Sequence, residues 1–305
     1  MNRDTFSGFH PVVNILYFAV MIGFSMFFMH PISLALSLVC AVTYAIYLNG
    51  KKAVRVGLKF MLPMMLFAAA LNPMFNHQGA TILAYLPNGN PLTLESAMYG
   101  IAAAVMLATV ITWFSCLNTV MTSDKFTYLF GRISPALSLI LSMTLRMVPR
   151  FRDQIKVISG AQRCIGRDIK NGNFLRKARN GVRILSIMIT WALENAIETA
   201  DSMKARGYGL PGRTAFSIFR FSRRDAYAIS YILACAVFVI AGAAVEVFRF
   251  RYFPTIRHID GGWHSFWTVS LFVIYFALGA LPIIVNLKED LMWKRLRAGG
   301  TFDII

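Results

Sequence analysis

Long apolar runs are the feature that most constrains how this 305-residue chain can fold. A hydrocarbon core of about 30 Å is crossed by a helix of roughly 20 apolar residues. Six runs are of about this length, at residues 12–29, 32–48, 58–75, 97–121, 226–248 and 266–287. They contain almost no ionisable residues away from their ends, and a charge at mid-membrane costs about 2.5–3.5 kcal/mol. The runs therefore predict an all-α, polytopic helical membrane protein with about six spans.

The links between the runs differ in their content of Lys and Arg. The link between the second and third runs holds Lys51, Lys52 and Arg55, whereas residues 76–96 hold neither Lys nor Arg. Because cytoplasmic loops are the basic ones, both termini and the middle of the chain are expected to be cytoplasmic. Three arginines between the fifth and sixth runs would then lie outside. A re-entrant pair formed by those two runs is the alternative that would explain them.

Positive charge is concentrated between the fourth and fifth runs. Residues 122–224 carry 19 Lys and Arg against six Asp and Glu, which is +13 of the total charge of +17. We therefore expect three parts, namely a bundle of about four spans (1–121), a helical cytoplasmic section (122–224), and about two further spans with a cytoplasmic tail (225–305). Such a basic section suits anionic lipid or an acidic protein partner. No nucleic-acid-binding motif accompanies it, so nucleic acid is not an expected partner.

Apolar residues recur at helical spacing within this basic section, which predicts two long amphipathic helices. Asn171-Gly172-Asn173 separates them and is typical of a turn. The first periodic set ends at Gly166 and consists of Phe151, Ile155, Ile158 and Ile165. The second ends at Gly207 and consists of Val182, Leu185, Ile189, Ala192, Ala196, Ala200 and Met203.

The two predicted helices end alike. Residues 202–207 (Ser-Met-Lys-Ala-Arg-Gly) align with residues 161–166 (Ala-Gln-Arg-Cys-Ile-Gly), and each set closes on a glycine that can adopt the left-handed conformation. A helix C-terminus attracts cations, so one basic end with a glycine is ordinary helix-ending chemistry. Two such ends in one section indicate a partner that presents two similar pockets.

The chain resembles the transmembrane coupling component, or T component, of energy-coupling factor importers, which are ATP-driven uptake systems for vitamins and other micronutrients. Ala205-Arg206-Gly207-Tyr208 is similar to the second of the two Ala-Arg-Gly signatures that end the coupling helices of that family. Residues 123–132 and 143–151, His10-Pro11 and Asn72-Pro73 also resemble it, so the similarity covers nearly the whole chain. The first signature departs from the pattern at Ile165, where the family usually places Arg. Either Arg163 or Arg167 substitutes for that Arg, or this end docks through apolar contact.

The resemblance implies a non-enzymatic subunit of the cell membrane, without catalytic residues, metal or cofactor. Each coupling-helix end would dock on one of two cytoplasmic ABC ATPase subunits. The implied docking residues are Ala161, Arg163, Gly166, Ala205, Arg206 and Gly207. Leu185, Ile189 and Met203 would contact a separate substrate-binding membrane subunit, the S subunit.

Three other classes of protein explain part of the pattern. An integral membrane enzyme would need clustered carboxylates or histidines, but Glu194, Glu198 and Asp201 are typical of a solvated face or of ion pairs within the chain. A secondary transporter would need polar groups at mid-membrane, whereas Asn72 and Asn118 lie near the ends of runs. A conventional ABC importer permease is the alternative kept, although it usually docks through one coupling helix per chain.

Overall fold

The computed structural model describes residues 4–85, 91–167, 173–210, 219–244, 250–254, 256–258 and 266–299. The chain divides into two compact units, one formed by Met1–Thr122 with Phe219–Ile305 and the other by Ser123–Ile218. The first unit begins with a 3-10 turn at Phe6–Gly8. Its helices are α1 (Pro11–Phe27), α2 (Pro31–Asn49), α3 (Lys51–Val56), α4 (Leu62–Phe75), α5 (Leu94–Val120), α9 (Arg223–Ala244) and α10 (Phe266–Gly299). The second unit contains α6 (Ser123–Ile133), α7 (Pro135–Cys164) and α8 (Phe174–Ala205).

The structure confirms the predicted all-α, polytopic architecture. Within the described residues, five helical segments are long and apolar enough to cross a membrane, and all but the first of the predicted runs fall on them. The first run falls on α1, which has 17 residues and is shorter than the others. Helix α10 continues well beyond the predicted end at residue 287, because hydropathy marks only the apolar part of a helix and not its full length.

Helices α1 and α2 begin in the same way. His10 and His30 each accept a hydrogen bond at Nδ1 from the backbone N–H two residues later, at 3.3 and 3.2 Å. A proline follows each histidine at the first helical position, where its missing N–H leaves no bond unmade. The His10-Pro11 pair is therefore a helix start, and His30-Pro31 begins α2 in the same way.

The third span is one continuous helical segment, Lys51–Phe75, with a π turn at Gly57–Met61. Pro63 lies two residues after this turn, and a proline ring clashes with the carbonyl four residues before it. The wider π turn relieves that clash without ending the helix. The segment packs on α5 where Gly100 lies so close that an added Cβ would be 2.7 Å from the Ala69 carbonyl oxygen.

The core of the first unit is aromatic and lies between α1, α2, α5, α9 and α10. Trp113, Tyr17 and Phe18 are fully buried in it, with ring centroids 5.4 to 6.1 Å apart. The Trp113 indole N–H donates to Ser37 Oγ at 3.1 Å, and Ser37 is hydrogen-bonded to Ser25 at 2.8 Å. The buried polar groups of three helices thus satisfy one another, as buried polar groups must.

Two short antiparallel hairpins were not predicted. Strand β1 (Ile82–Tyr85) pairs with β2 (Pro91–Thr93), and β3 (Phe250–Arg251) pairs with β4 (Arg257–His258). Their segments meet where the Ala80 N–H donates to the Pro254 carbonyl at 3.1 Å. Strands of two to four residues are too short to show a period-two pattern in the sequence.

The second unit is held together by a small cluster between α7 and α8. Ile158, Ile184 and Met188 are its buried members. Phe151 and Trp191 pack beside them edge to face, with ring centroids 5.6 Å apart. The helices predicted over the two periodic sets are therefore present and longer than expected. Of the predicted turn, Asn171 and Gly172 lie outside the described residues.

Candidate functional site

Helix α8 ends in a Schellman motif, the hydrogen-bonded turn that closes a helix on a left-handed residue. The N–H of Gly207 donates to the Lys204 carbonyl at 2.9 Å, and the N–H of Tyr208 donates to the Met203 carbonyl at 3.0 Å. Gly207 has a φ of +77°, which favours glycine because a Cβ is strained there. We call residues 203–208 the second tip.

Helix α7 ends in the same motif, with the same pattern of backbone bonds. The N–H of Gly166 donates to the Arg163 carbonyl at 3.0 Å, and the N–H of Arg167 donates to the Gln162 carbonyl at 2.9 Å. Gly166 has a φ of +72°. Residues 162–167 form the first tip, and each of its residues corresponds to the one 41 positions later in the second tip.

This correspondence decides which side chains are equivalent. Arg206, the last residue before the glycine of the second tip, corresponds to Ile165, which is 62% exposed. Arg163 corresponds to Lys204, and Arg167 corresponds to Tyr208. Neither arginine therefore occupies the place of the missing Arg, although both are exposed beside it. One tip presents a guanidinium where the other presents an aliphatic side chain.

The predicted docking residues lie at or beside the tips. Arg163, Gly166, Ala205 and Arg206 are exposed, and Gly207 is half-buried. Ala161 is exposed but lies just before the first tip, where it corresponds to Ser202. The residue that corresponds to Ala205 is Cys164.

Both tips lie beyond the place where the two helices touch. Measured along the helix axes, Ile165 lies about 10 Å beyond Ile158, and Arg206 lies about 22 Å beyond Trp191. The Arg150 guanidinium adds a contact at this crossing, 5.7 Å from the centre of the Trp191 ring. Each tip is thus the end of a helical arm, and the arm of α8 is the longer of the two.

Helix α8 carries two different apolar faces. Its packing face, with Ile184 and Met188, contacts α7. Leu185 and Ile189, the residues singled out from the sequence, are 58% and 52% exposed and belong to the other face. Met203 is half-buried near the tip. We call the exposed face, formed by Val182, Leu185, Ile189 and Leu193, the α8 stripe.

Sequence reasoning missed Leu193, which is 62% exposed and extends the α8 stripe by one turn. Its spacing of four from Ile189 was the available signal. The carboxylates at Glu194, Glu198 and Asp201 are exposed, as a solvated face requires. Among the described residues, no group of three or more His, Cys, Asp or Glu is placed to hold a metal ion.

Comparison with known proteins identifies the family. Residues 7–218 match the family CbiQ, described as cobalt transport protein. The chain is 28% identical over 150 residues to the energy-coupling factor transporter transmembrane protein EcfT of Lactobacillus helveticus, which covers 44% of this chain and 54% of that protein. It is 36% identical over 107 residues to EcfT of Lacticaseibacillus paracasei, covering 35% and 39% of the two chains.

A longer match joins the chain to EcfT of Streptococcus thermophilus, with 29% identity over 188 residues, or 58% of this chain and 71% of the relative. The chain spans about half or less of the length of the other two relatives. The family match nevertheless includes well over half of the chain and the whole of the second unit, and so both tips. This chain is a multi-pass membrane protein that belongs to the CbiQ/EcfT family.

Proposed function

We propose that the chain is the membrane-embedded coupling subunit of an energy-coupling factor importer. It transmits the ATP-driven motion of two ATPase subunits to a separate membrane subunit that binds the vitamin or micronutrient. It lies in the cell membrane with both termini in the cytoplasm. The observation that carries the proposal is the pair of equivalent, exposed helix ends on α7 and α8.

Each tip suits docking into a groove of one ATPase subunit. The Schellman motif fixes the backbone of the last turn, so little conformational entropy is lost when a partner grips it. Arg206 is exposed and pairs with a carboxylate of the partner. Ile165 fills an apolar contact at the corresponding place, with Arg163 and Arg167 beside it.

The two arms carry motion because they are rigid helices that touch near their middles. When ATP binding moves the two ATPase subunits, the tips move with them and the crossing at Phe151 and Trp191 shifts. The α8 stripe lies on the same helix and moves as well. Exposed apolar patches of this kind mark protein or membrane contacts, and the stripe supports contact with the S subunit.

Hydrolysis of ATP belongs to the partner subunits in this proposal. The sequence contains no phosphate-binding loop of the Walker type, in which a lysine reaches the nucleotide phosphates. The chain acts as a scaffold and lever, and no catalytic residue is assigned to it.

Reversal of the charge at Arg206 tests the docking directly. Arg206→Glu should weaken binding of the ATPase subunits by about 30-fold or more, because breaking a desolvated charge pair costs about 2–5 kcal/mol. Uptake should be lost while the protein still inserts into the membrane. The measurement is retention of the ATPase subunits on the purified, tagged chain.

The matched control is Arg179→Glu, an exposed arginine at the other end of α8. It makes the same change in charge and should leave ATPase retention within about twofold of the original protein. Equal retention by the Arg206 and Arg179 variants would contradict the assignment of the tip.

The composition of the purified complex separates the proposal from a conventional ABC importer permease. The proposed subunit should co-purify with two ATPase subunits and with one small hydrophobic membrane protein. A permease would bring down the ATPases without such a third subunit. Mass spectrometry of the complex gives the answer.

A further inference from the structure

Three cations follow one another along one face of the third span, at its beginning. Lys51, Arg55 and Lys59 are spaced by four residues and therefore lie above one another on the helix. Together with Val54 and Leu58 they line a shallow open groove of about 490 Å³. We call this surface the basic groove.

The cations of the basic groove form no ion pair within the part of the chain that the structure describes. The ion pair Lys156–Asp153 belongs to another helix, and Lys51, Arg55 and Lys59 form no ion pair with a described residue. Like charges at a spacing of four residues repel each other on a helix surface. An anion from outside the chain would remove this repulsion.

The length of the helix places the basic groove at the membrane surface. The segment Lys51–Phe75 has 25 residues, or about 37 Å, and so exceeds a hydrocarbon core of about 30 Å by roughly five residues. With Phe75 at the far boundary, Lys51 and Arg55 lie among the lipid headgroups. Lys59 lies about one turn deeper, and its flexible stem lets the amine reach back to the surface.

Apolar side chains continue along the same helix below the cations. Leu62, Leu66 and Phe67 are all exposed, and no side chain of α4 is fully buried in the described part of the chain. A phospholipid would contact both the cations and the apolar side chains, since its phosphate would bind the basic groove and its acyl chains would lie along α4. A free phosphate ion would bind the basic groove alone and would leave the apolar side chains of α4 without a contact.

We propose that the basic groove at Lys51, Arg55 and Lys59 binds the headgroup of an anionic phospholipid, with its acyl chains along α4. The site would steady the third span, none of whose side chains is fully buried among the described residues. This inference does not depend on the tips or on the ATPase partners, and its test needs only the full chain.

The test measures lipid binding to the detergent-purified full chain by native mass spectrometry. Phosphatidylglycerol and phosphatidylcholine are added separately, and inorganic phosphate is added as a competitor. Phosphatidylglycerol should bind the original protein about tenfold more tightly than phosphatidylcholine. Lys51→Gln/Arg55→Gln should lower the affinity for phosphatidylglycerol by about tenfold and leave that for phosphatidylcholine unchanged.

The matched control is Lys288→Gln/Lys294→Gln, which removes two exposed charges from α10. It should change phosphatidylglycerol binding by less than about twofold if binding is local. Equal losses in the two double variants would overturn the proposal, because they would show a diffuse attraction to all basic residues. Equal binding of the two lipids by the original protein would overturn it without any variant. Displacement of the lipid by inorganic phosphate at similar concentration would assign the groove to a free anion.

Discussion

At the scale of single residues, Gly166 and Gly207 give the two tips the same backbone. Each glycine has a positive φ and accepts the left-handed conformation that the Schellman bonds require. Sequence alone predicted both glycines, because a helix end is a local pattern of a few residues. The sequence alignment also paired Arg206 with Ile165 and Lys204 with Arg163, and the matching hydrogen-bond register of the two tips agrees with it.

A methyl group at Gly207 should loosen the second tip. In Gly207→Ala the new Cβ would be strained at a φ of +77° and would lie 3.0 Å from Leu210 Cδ1, at a cost of about 1 kcal/mol. Hydrogen exchange of the Tyr208 amide should therefore become about fivefold faster. Gly181→Ala is the control, since it lies inside α8 with open space around its Cβ. Unchanged exchange at Tyr208 in the Gly207 variant would show that the motif does not hold the tip.

At the scale of elements, the sequence located helices better than it assigned their faces. Five of the six apolar runs fall on helical segments long enough to span a membrane, because hydropathy is a property of each run by itself. The periodic pattern on α8 found the exposed stripe with Leu185 and Ile189. It missed the packing face, which includes Met188 and Trp191, because periodicity does not tell which face meets another helix.

Two truncations on α8 should separate packing from docking. Trp191→Ala removes the ring that packs on Phe151 and under Arg150, and should destabilise the second unit by about 2–3 kcal/mol. Leu193→Ala removes an exposed side chain two positions away and should change stability by less than about 0.5 kcal/mol. The measurement is hydrogen exchange of the α7 and α8 amides in the full chain.

The same pair of variants reports on the α8 stripe. Leu193→Ala should weaken retention of the S subunit on the purified chain, because it shortens an apolar contact surface. If Leu193→Ala destabilised the second unit as much as Trp191→Ala, the division of α8 into two faces would be wrong.

At the scale of the whole molecule, the first described residues are tied to the last helix. Asn286 of α10 accepts hydrogen bonds from the Thr5 and Phe6 N–H groups at 2.9 and 3.1 Å. Its own amide donates to Asp4 Oδ1 at 2.6 Å, and Tyr44 of α2 donates to Asp4 Oδ2 at 3.0 Å. No local pattern predicts bonds between residues about 280 positions apart, so this closure of the first unit was missed.

Removal of the Asn286 amide should destabilise the first unit. Asn286 is fully buried, and Asn286→Ala leaves two backbone N–H groups and the Asp4 carboxylate without this partner. The expected cost is about 2 kcal/mol or more. Tyr47→Phe is the control, because it removes one exposed hydrogen bond to Asp290 and should cost less than about 0.5 kcal/mol. The measurement is the midpoint temperature of thermal unfolding of the two detergent-purified variants. Equal midpoints would contradict the claim that Asn286 holds residues 4–6 to α10.

The central claim is that the two tips are gripped by ATPase subunits while the α8 stripe meets another membrane protein. Site-specific photo-crosslinking in the assembled complex tests it most directly, with a benzophenone amino acid placed in turn at Ile165, Tyr208 and Leu185, all of which are exposed. The account predicts that Ile165 and Tyr208 crosslink to ATPase subunits and that Leu185 crosslinks to the small membrane subunit. Crosslinks from Ile165 and Tyr208 that join only residues of this same chain would contradict it.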